Sequence, residues 1–302
     1  MTEPSLTPPT IGVFDSGFGG LTVLAALIPR LPRARFAFIG DTARLPYGSK
    51  SRRTIARYAV ESAQFLVREQ GAEFLVIACN TASALALDAI QDAVSVPVLG
   101  VIEPGATAAR AASKSGDVLV IATDATVQSH AYKAACATQN LRALEKACPL
   151  LVPLVEEGWT NHHVTQEIIR IYLDELITDA AATGLKPDAL VLGCTHYPLL
   201  RPLIEQAVPA GIKVIDSAES TAEAAARLFN GRAKPHHANE TGCPIQPGDT
   251  QPTSGWVGSD SSPAIETEIR CFATDSVEKF ERLGSRFLGR PVGSVQLVDL
   301  GG

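Results

Sequence analysis

Two cysteines stand at equivalent places in the sequence, each directly after a short apolar run and before a polar pair. Residues 75–82 read LVIACNTA, and residues 190–197 read LVLGCTHY. The apolar runs are typical of buried strands, and the polar pairs are typical of helix starts. Cysteine is a poor helix cap, so capping alone does not explain why Cys79 and Cys194 both occupy this position.

Two thiols that face each other across a small-molecule cleft suit the transfer of a proton between the two faces of a carbon atom. Inverting a stereocentre by deprotonation needs a base on one face and an acid on the other. A thiol has a pKa of about 8.5, which a helix N-terminus can lower, so it can serve as either partner near neutral pH. Two equivalent groups would let such a reaction run in both directions.

Other kinds of site fit these residues less well. A thiol hydrolase could pair Cys194 with His196, but it needs one nucleophile, and Cys79 would have no task. The glycine-rich turn at 15–20, DSGFGG, lacks the third spaced glycine of a dinucleotide site and would place Asp15 against a phosphate. No lysine follows a predicted strand in the way that a pyridoxal enzyme requires.

Short apolar runs predict the buried strands that would position these residues. Each run is rich in aliphatic residues and is followed by a helical pattern, which is typical of an α/β fold with parallel sheets. The runs cover residues 10–14, 36–40, 74–78, 96–101, 118–122, 150–155, 189–193 and 213–216. Ligands of such sheets bind beyond the carboxyl ends of the strands, where the polar residues of this sequence collect.

The likeness of the two cysteine turns predicts two similar parallel-sheet, flavodoxin-like domains that face each other across a cleft. The first domain is predicted to cover residues 1–103 and 215–302, and the second to cover residues 104–214. Residues 231–263 are rich in glycine and proline and predict a long loop inserted in the first domain. A strand and a closing helix follow this loop. Its histidines and its cysteine (His236, His237 and Cys243) are interpreted as solvated, and no metal site is predicted.

Composition excludes several classes of protein. The formal net charge is -6, and the only tight basic group is Lys50, Arg52, Arg53 and Arg57, which argues against a nucleic-acid surface. The N-terminus shows no secretory signal pattern, and no apolar run approaches the roughly 20 residues of a membrane helix. The six cysteines contain no C-x-x-C pair. We therefore expect a cytoplasmic protein with reduced thiols.

Seven segments together resemble the glutamate racemase family. They occur in the family's order and span nearly the whole chain: IGVFDSGFGGLTVL (11–24), GDTARLPYGSKS (40–51), ACNTASALAL (78–87), GVIEPG (100–105), ATDATVQSHAY (122–132), PLVEEGW (153–159) and LGCTHYPLL (192–200). The family consists of cofactor-independent enzymes that supply D-glutamate for bacterial peptidoglycan. The resemblance implies racemisation of L- and D-glutamate without a cofactor or metal, by a homodimer.

The resemblance also implies a role for each site residue. Cys79 would act on D-glutamate and Cys194 on L-glutamate, while Asp15 and His196 assist the proton transfers and Glu156 tunes the site near His196. The implied substrate-binding set is Asp15, Ser16, Tyr47, Gly48, Asn80, Thr81, Thr123, Thr126, Thr195 and His196. Hydroxyls and backbone N–H groups at helix starts can hold both carboxylates without an arginine.

Two further alternatives remain open at the level of sequence. An aspartate racemase would share the paired thiols, although the DSGFGG, PYG and CNTA segments favour glutamate. A non-catalytic binding protein would need none of this chemistry. The remaining cysteines (Cys136, Cys148 and Cys271) are interpreted as core residues, since unpaired cysteine is most often buried.

Overall fold

The computed structural model describes residues 8–232 and 267–301 of the chain. Within these residues ten strands form two sheets, and every pairing between neighbouring strands is parallel. The predicted α/β fold with two parallel-sheet domains is confirmed. The predicted loop at 231–263, with His236, His237 and Cys243, lies outside the described residues.

The strands of the first sheet are β1 (Thr10–Asp15), β2 (Arg35–Gly40), β3 (Phe74–Ile77), β4 (Val98–Gly100), β9 (Ile269–Ala273) and β10 (Val295–Leu297). Those of the second sheet are β5 (Asp117–Ala122), β6 (Arg142–Ala147), β7 (Ala189–Gly193) and β8 (Lys213–Asp216). The first sheet has the strand order β10-β9-β2-β1-β3-β4, and the second has the order β6-β5-β7-β8. The domain boundaries after residues 103 and 214 stay a prediction.

Helices connect the strands and cover both sheets. In chain order they are α1 (Leu21–Arg30), α2 (Arg52–Arg68), α3 (Asn80–Leu85), α4 (Leu87–Ala93), α5 (Ile102–Ala112), α6 (Asp124–Ser129), α7 (Ala131–Thr138), α8 (Leu151–Glu156), α9 (His163–Ala182), α10 (Arg201–Ala207), α11 (Ser217–Arg232) and α12 (Val277–Leu288). Helix α11 packs against α1 and α5, so it joins the layers of both sheets. None of the described helices is long and apolar enough to cross a membrane.

The predicted strand at 150–155 is wrong, because this segment forms helix α8. Leu151 and Val155 are buried one helical turn apart, which is the spacing of an apolar helix face. The prediction missed β10 (Val295–Leu297) at the edge of the first sheet and β6 (Arg142–Ala147) at the edge of the second. The residues of β6 are exposed or only half-buried, so its sequence RALEKA carries no continuous apolar run.

Candidate active site

Residues at the carboxyl ends of the two sheets contact each other directly. Thr81, which follows β3, has its Oγ1 atom 3.1 Å from Oγ1 of Thr123 and 3.4 Å from Oγ1 of Thr126, both of which follow β5. The hydroxyl of Thr22 donates to the backbone carbonyl of Thr195, which follows β7, at 3.3 Å. The described structure therefore brings the turns of both halves together.

Most of the predicted site residues are buried where the halves meet. Ser16, Gly48, Thr123 and Glu156 are half-buried. The others are at most 8% exposed: Asp15, Tyr47, Cys79, Asn80, Thr81, Thr126, Cys194, Thr195 and His196. A buried site excludes water, so charges and hydrogen bonds act more strongly there than on the surface.

Cys79 lies between β3 and α3 and is the N-cap of that helix. Its Sγ atom accepts a hydrogen bond from the N–H of Ala82 at 3.4 Å, so the thiol does act as a cap, contrary to our expectation. The thiol also donates to Oγ of Ser16 at 3.4 Å. Burial and the charge of Asp15 raise the pKa of Cys79 to about 12, although the bonds from Ser16 and Ala82 lower it. The closed site therefore holds Cys79 as a proton donor.

Cys194 follows β7 and begins a line of ionisable groups that reaches the surface. Its Sγ atom lies 3.9 Å from Nδ1 of His196, and Nε2 of His196 lies 3.4 Å from Oε1 of Glu156, without the geometry of a hydrogen bond. Oε2 of Glu156 is 3.4 Å from Nζ of Lys279, whose side chain is partly exposed. Charged groups of alternating sign therefore stand in a row between the buried thiol and the protein surface.

Interactions with neighbouring groups set the charges of His196 and Glu156. Burial lowers the pKa of His196, but its interactions with Cys194 and Glu156 outweigh burial and raise that pKa to about 10. Burial raises the pKa of Glu156, yet the attraction of His196 and Lys279 leaves it below its ordinary value. At neutral pH the site therefore contains an imidazolium beside Cys194 and a carboxylate behind it.

Asp15 ends β1 and lies close to the groups of both halves. Its Oδ2 atom accepts from the backbone N–H of Gly17 at 2.9 Å, whereas its buried Oδ1 atom has no partner among the described residues. Burial raises the pKa of Asp15, and the charge of His196 and three backbone N–H groups partly offset that rise. Asp15 acts electrostatically on both Cys79 and His196, so it belongs to both sides of the site.

Sequence reasoning did not include Tyr132 and Asp41 in the site, although both support the predicted set. Tyr132 donates its hydroxyl to Oδ1 of Asn80 at 2.7 Å, and the buried Nδ2 atom of Asn80 has no partner within the described chain. Tyr47 donates its hydroxyl to the buried carboxylate of Asp41 at 2.5 Å. Asp41 follows β2 at the same sheet edge, and Tyr132 ends a segment that resembles the family, but neither position shows which side chain it contacts.

Comparisons with known proteins agree with this geometry. Residues 22–225 match the family described as Asp/Glu/Hydantoin racemase. A glutamate racemase of Koribacter versatilis is 52% identical over 295 residues, which cover 97% of this chain and 98% of that protein.

Solved structures give the same result. A glutamate racemase isoform of Bacillus anthracis superposes with a TM-score of 0.80 and 34% identity, over 97% of this chain and 98% of that chain. A Francisella tularensis glutamate racemase, solved in complex with D-glutamate, has a TM-score of 0.78 and 31% identity over the same shares of the two chains. The chain therefore belongs to the aspartate/glutamate racemase family, and to the glutamate racemases within it.

Proposed function

We propose that this protein interconverts L-glutamate and D-glutamate by two-base proton transfer at the α-carbon, without a cofactor. The observation that carries the proposal is the placement of two buried thiols, Cys79 and Cys194. They lie on turns in opposite halves of the molecule, and the carboxyl ends of the two sheets contact each other. Asp15 acts electrostatically on Cys79 and on His196, the neighbour of Cys194, which supports a shared site. Each thiol then serves one face of the substrate.

The protonation of the site supports a specific sequence of events for L-glutamate. The Cys194 thiolate takes the α-proton, and the electron pair of the broken C–H bond stays on the α-carbon. The Cys79 thiol, which burial keeps protonated, then donates its proton to the opposite face and yields D-glutamate. The reverse reaction exchanges the two roles. The imidazolium of His196, 3.9 Å from Sγ of Cys194, offers a positive charge to the Cys194 thiolate.

Polar groups between the halves support the proposed substrate-binding set. The hydroxyls of Thr81, Thr123 and Thr126 lie within 3.0–3.4 Å of one another, so they can act together on one carboxylate. Asn80 Nδ2 is a buried donor with no partner in the described residues. The remaining proposed contacts come from Asp15, Ser16, Tyr47, Gly48, Thr195 and His196. Neutral donors such as the threonine hydroxyls and the Asn80 amide can hold a carboxylate by hydrogen bonds.

The test is a racemisation assay on the purified, reduced protein after dialysis against a chelator. We expect each enantiomer of glutamate to approach an equal mixture, followed by circular dichroism, with no added pyridoxal phosphate, nucleotide or metal. Aspartate should react far more slowly. Activity that returned only with one of those additions would contradict the proposal, and equal or faster turnover of aspartate would assign the chain to the other amino acid. Complete inactivity of the folded protein toward both would favour a binding role.

We also propose that the protein works in the cytoplasm as a homodimer and supplies D-glutamate for peptidoglycan. The family resemblance supports all three statements. Sedimentation equilibrium tests the dimer, fractionation of cells tests the compartment, and growth of a D-glutamate-requiring strain that expresses this chain tests the supply.

Gly19 is expected to be essential for bringing the two halves together. An added Cβ atom would clash with Oγ1 of Thr195 and would lie 2.7 Å from Nδ1 of His196. The His196 ring packs against Phe287 at a centroid distance of 5.1 Å, so it cannot move away freely. We expect Gly19→Ala to lower kcat/KM for glutamate by about 10²-fold, because displacements near 1 Å can cost that much.

A matched variant separates this effect from crowding in general. Gly100→Ala would place its Cβ atom 3.1 Å from Leu87 and Ser83, which lie in the same half of the molecule. This variant is expected to lower the thermal midpoint without a comparable loss of activity. Wild-type kinetics in Gly19→Ala would show that the halves need not approach as closely as they do here.

A further inference from the structure

Tyr132 links the turn of one thiol to the turn of the other. It lies on α7, next to the second sheet, and its side chain is completely buried. Its hydroxyl donates to Oδ1 of Asn80, the residue after Cys79, at 2.7 Å. Its ring lies against Gly193, the residue before Cys194. One side chain therefore touches the neighbours of both catalytic candidates.

Two glycines shape the space that the Tyr132 ring occupies. A Cβ atom at Gly193 would lie 2.9 Å from Cε2 of the ring, and one at Gly105 would lie 3.2 Å from Cε1 and 3.4 Å from the hydroxyl oxygen. Any side chain at either glycine would crowd the ring. The ring is therefore held on both sides, and its hydroxyl has a fixed position.

A fixed hydroxyl decides which way the Asn80 amide faces. A carboxamide presents an acceptor on one side and two donors on the other, and these can be exchanged by rotation. Burial raises the pKa of Tyr132, so its hydroxyl keeps its proton and has it available to donate. When Oδ1 accepts a hydrogen bond from this hydroxyl, Nδ2 must face the other way, where no described residue pairs with it.

We propose that Tyr132 is a positioning residue that holds the Asn80 carboxamide with its N–H donors toward the bound amino acid. The inference rests on the proposed function, because the ligand of Nδ2 is a substrate carboxylate. Without the tyrosine hydroxyl the amide rotates between two orientations, and one of them presents an oxygen to the carboxylate. Binding then weakens, while the two thiols keep their chemistry.

A double-mutant cycle tests this role. Tyr132→Phe keeps the ring and removes one hydrogen bond, and such a bond corresponds to roughly a 3- to 10-fold effect on an equilibrium. We expect KM for both enantiomers to rise by this factor, with kcat changed less. Asn80→Ala should raise KM at least as much. In the Asn80→Ala background, Tyr132→Phe should change KM by less than about twofold, because the residue through which Tyr132 acts is absent.

Tyr172→Phe is the matched control, because its hydroxyl bonds only the backbone N–H of Leu150, at 3.4 Å, among the described residues. We expect its KM to equal that of the wild type in both backgrounds. Equal fold-changes for Tyr132→Phe with and without Asn80 would overturn the inference and indicate a general packing role. Failure of the proposed function is distinguishable, because then the wild-type protein itself would not racemise glutamate.

A second variant keeps the test valid if Tyr132→Phe does not fold. Asn80→Asp retains the acceptor for Tyr132, replaces the donors that face the ligand with an oxygen atom, and adds a negative charge when it is ionised. We expect it to fold like the wild type and to raise KM at least as much as Asn80→Ala does. An unchanged KM would show that the Asn80 donors do not bind substrate, and the role proposed for Tyr132 would be wrong.

Discussion

Replacing either Cys79 or Cys194 with serine is expected to lower the racemisation of glutamate by about 10²- to 10⁴-fold, the range that a positioned acid or base contributes. A serine hydroxyl is far less acidic than a thiol, so it neither forms the base nor donates the proton readily. Each thiol is the base for one enantiomer and the acid for the other. Both substitutions should therefore slow the reaction in both directions.

The two variants should nevertheless retain opposite halves of the chemistry. A glutamate analogue with a leaving group on the carbon next to the α-carbon can eliminate that group after deprotonation, and no proton is needed on the far face. Cys194→Ser keeps Cys79, so it should still eliminate from the D-analogue. Cys79→Ser keeps Cys194 and should prefer the L-analogue. Elimination can be followed by the release of the leaving group.

Cys271→Ser is the matched control, since Cys271 is a buried cysteine in β9, where its partners in the sheet are Phe38 and Val295. It should keep wild-type racemisation, although a buried hydroxyl is expected to lower the thermal midpoint. If Cys79→Ser and Cys194→Ser both lost elimination from the same enantiomer, the assignment of one thiol to each face would be wrong.

The central strands and the site turns were predictable because both leave a continuous signal in the sequence. Strands buried on both faces, such as β3 and β7, read as unbroken apolar runs, and the polar residues that follow them lie at one sheet edge. The edge strands β4 and β8 were also predicted, but the edge strands β6 and β10 leave no such signal. Strand β6 is half-exposed, and two of the three residues of β10 are exposed, so neither resembles a buried run.

The contacts that orient the site residues could not be predicted from local patterns. Tyr132 and Asn80 are 52 positions apart and meet only because the two halves face each other. At helix α8 the sequence predicts a strand that does not form, since a short apolar run fits a strand or a buried helix equally well. Glu156 was consequently placed at the end of a strand, whereas it ends α8 and approaches His196 from there.

His196→Asn is expected to slow one face of the reaction selectively. The pKa of His196 is raised to about 10, so the ring is cationic at neutral pH and stabilises a Cys194 thiolate 3.9 Å away. The attraction between charges at this distance is worth about 1–4 kcal/mol, for environments between water and a protein surface. Elimination from the L-analogue near pH 7.5 should therefore fall by roughly 5- to 10³-fold.

The pH dependence identifies the cause of this loss. In the wild type the imidazolium persists until the pH passes about 10, so elimination from the L-analogue should not need high pH. His196→Asn removes this ionisation, so the wild-type profile should change as the pH passes about 10 and the profile of the variant should not. Glu156→Gln should give a smaller loss of the same kind, because one of the interactions that raise the pKa of His196 is removed.

Asp15→Asn provides the comparison on the other face, because the charge of Asp15 raises the pKa of Cys79. Removing that charge lowers the pKa of the Cys79 thiol. The pH at which elimination from the D-analogue reaches half its maximum should therefore move downward, whereas the profile for the L-analogue should change less, because Asp15 raises the pKa of His196 less than Cys194 and Glu156 do. A His196→Asn variant that slowed both analogues equally at every pH would show that His196 holds the fold or the substrate rather than the charge of one thiol.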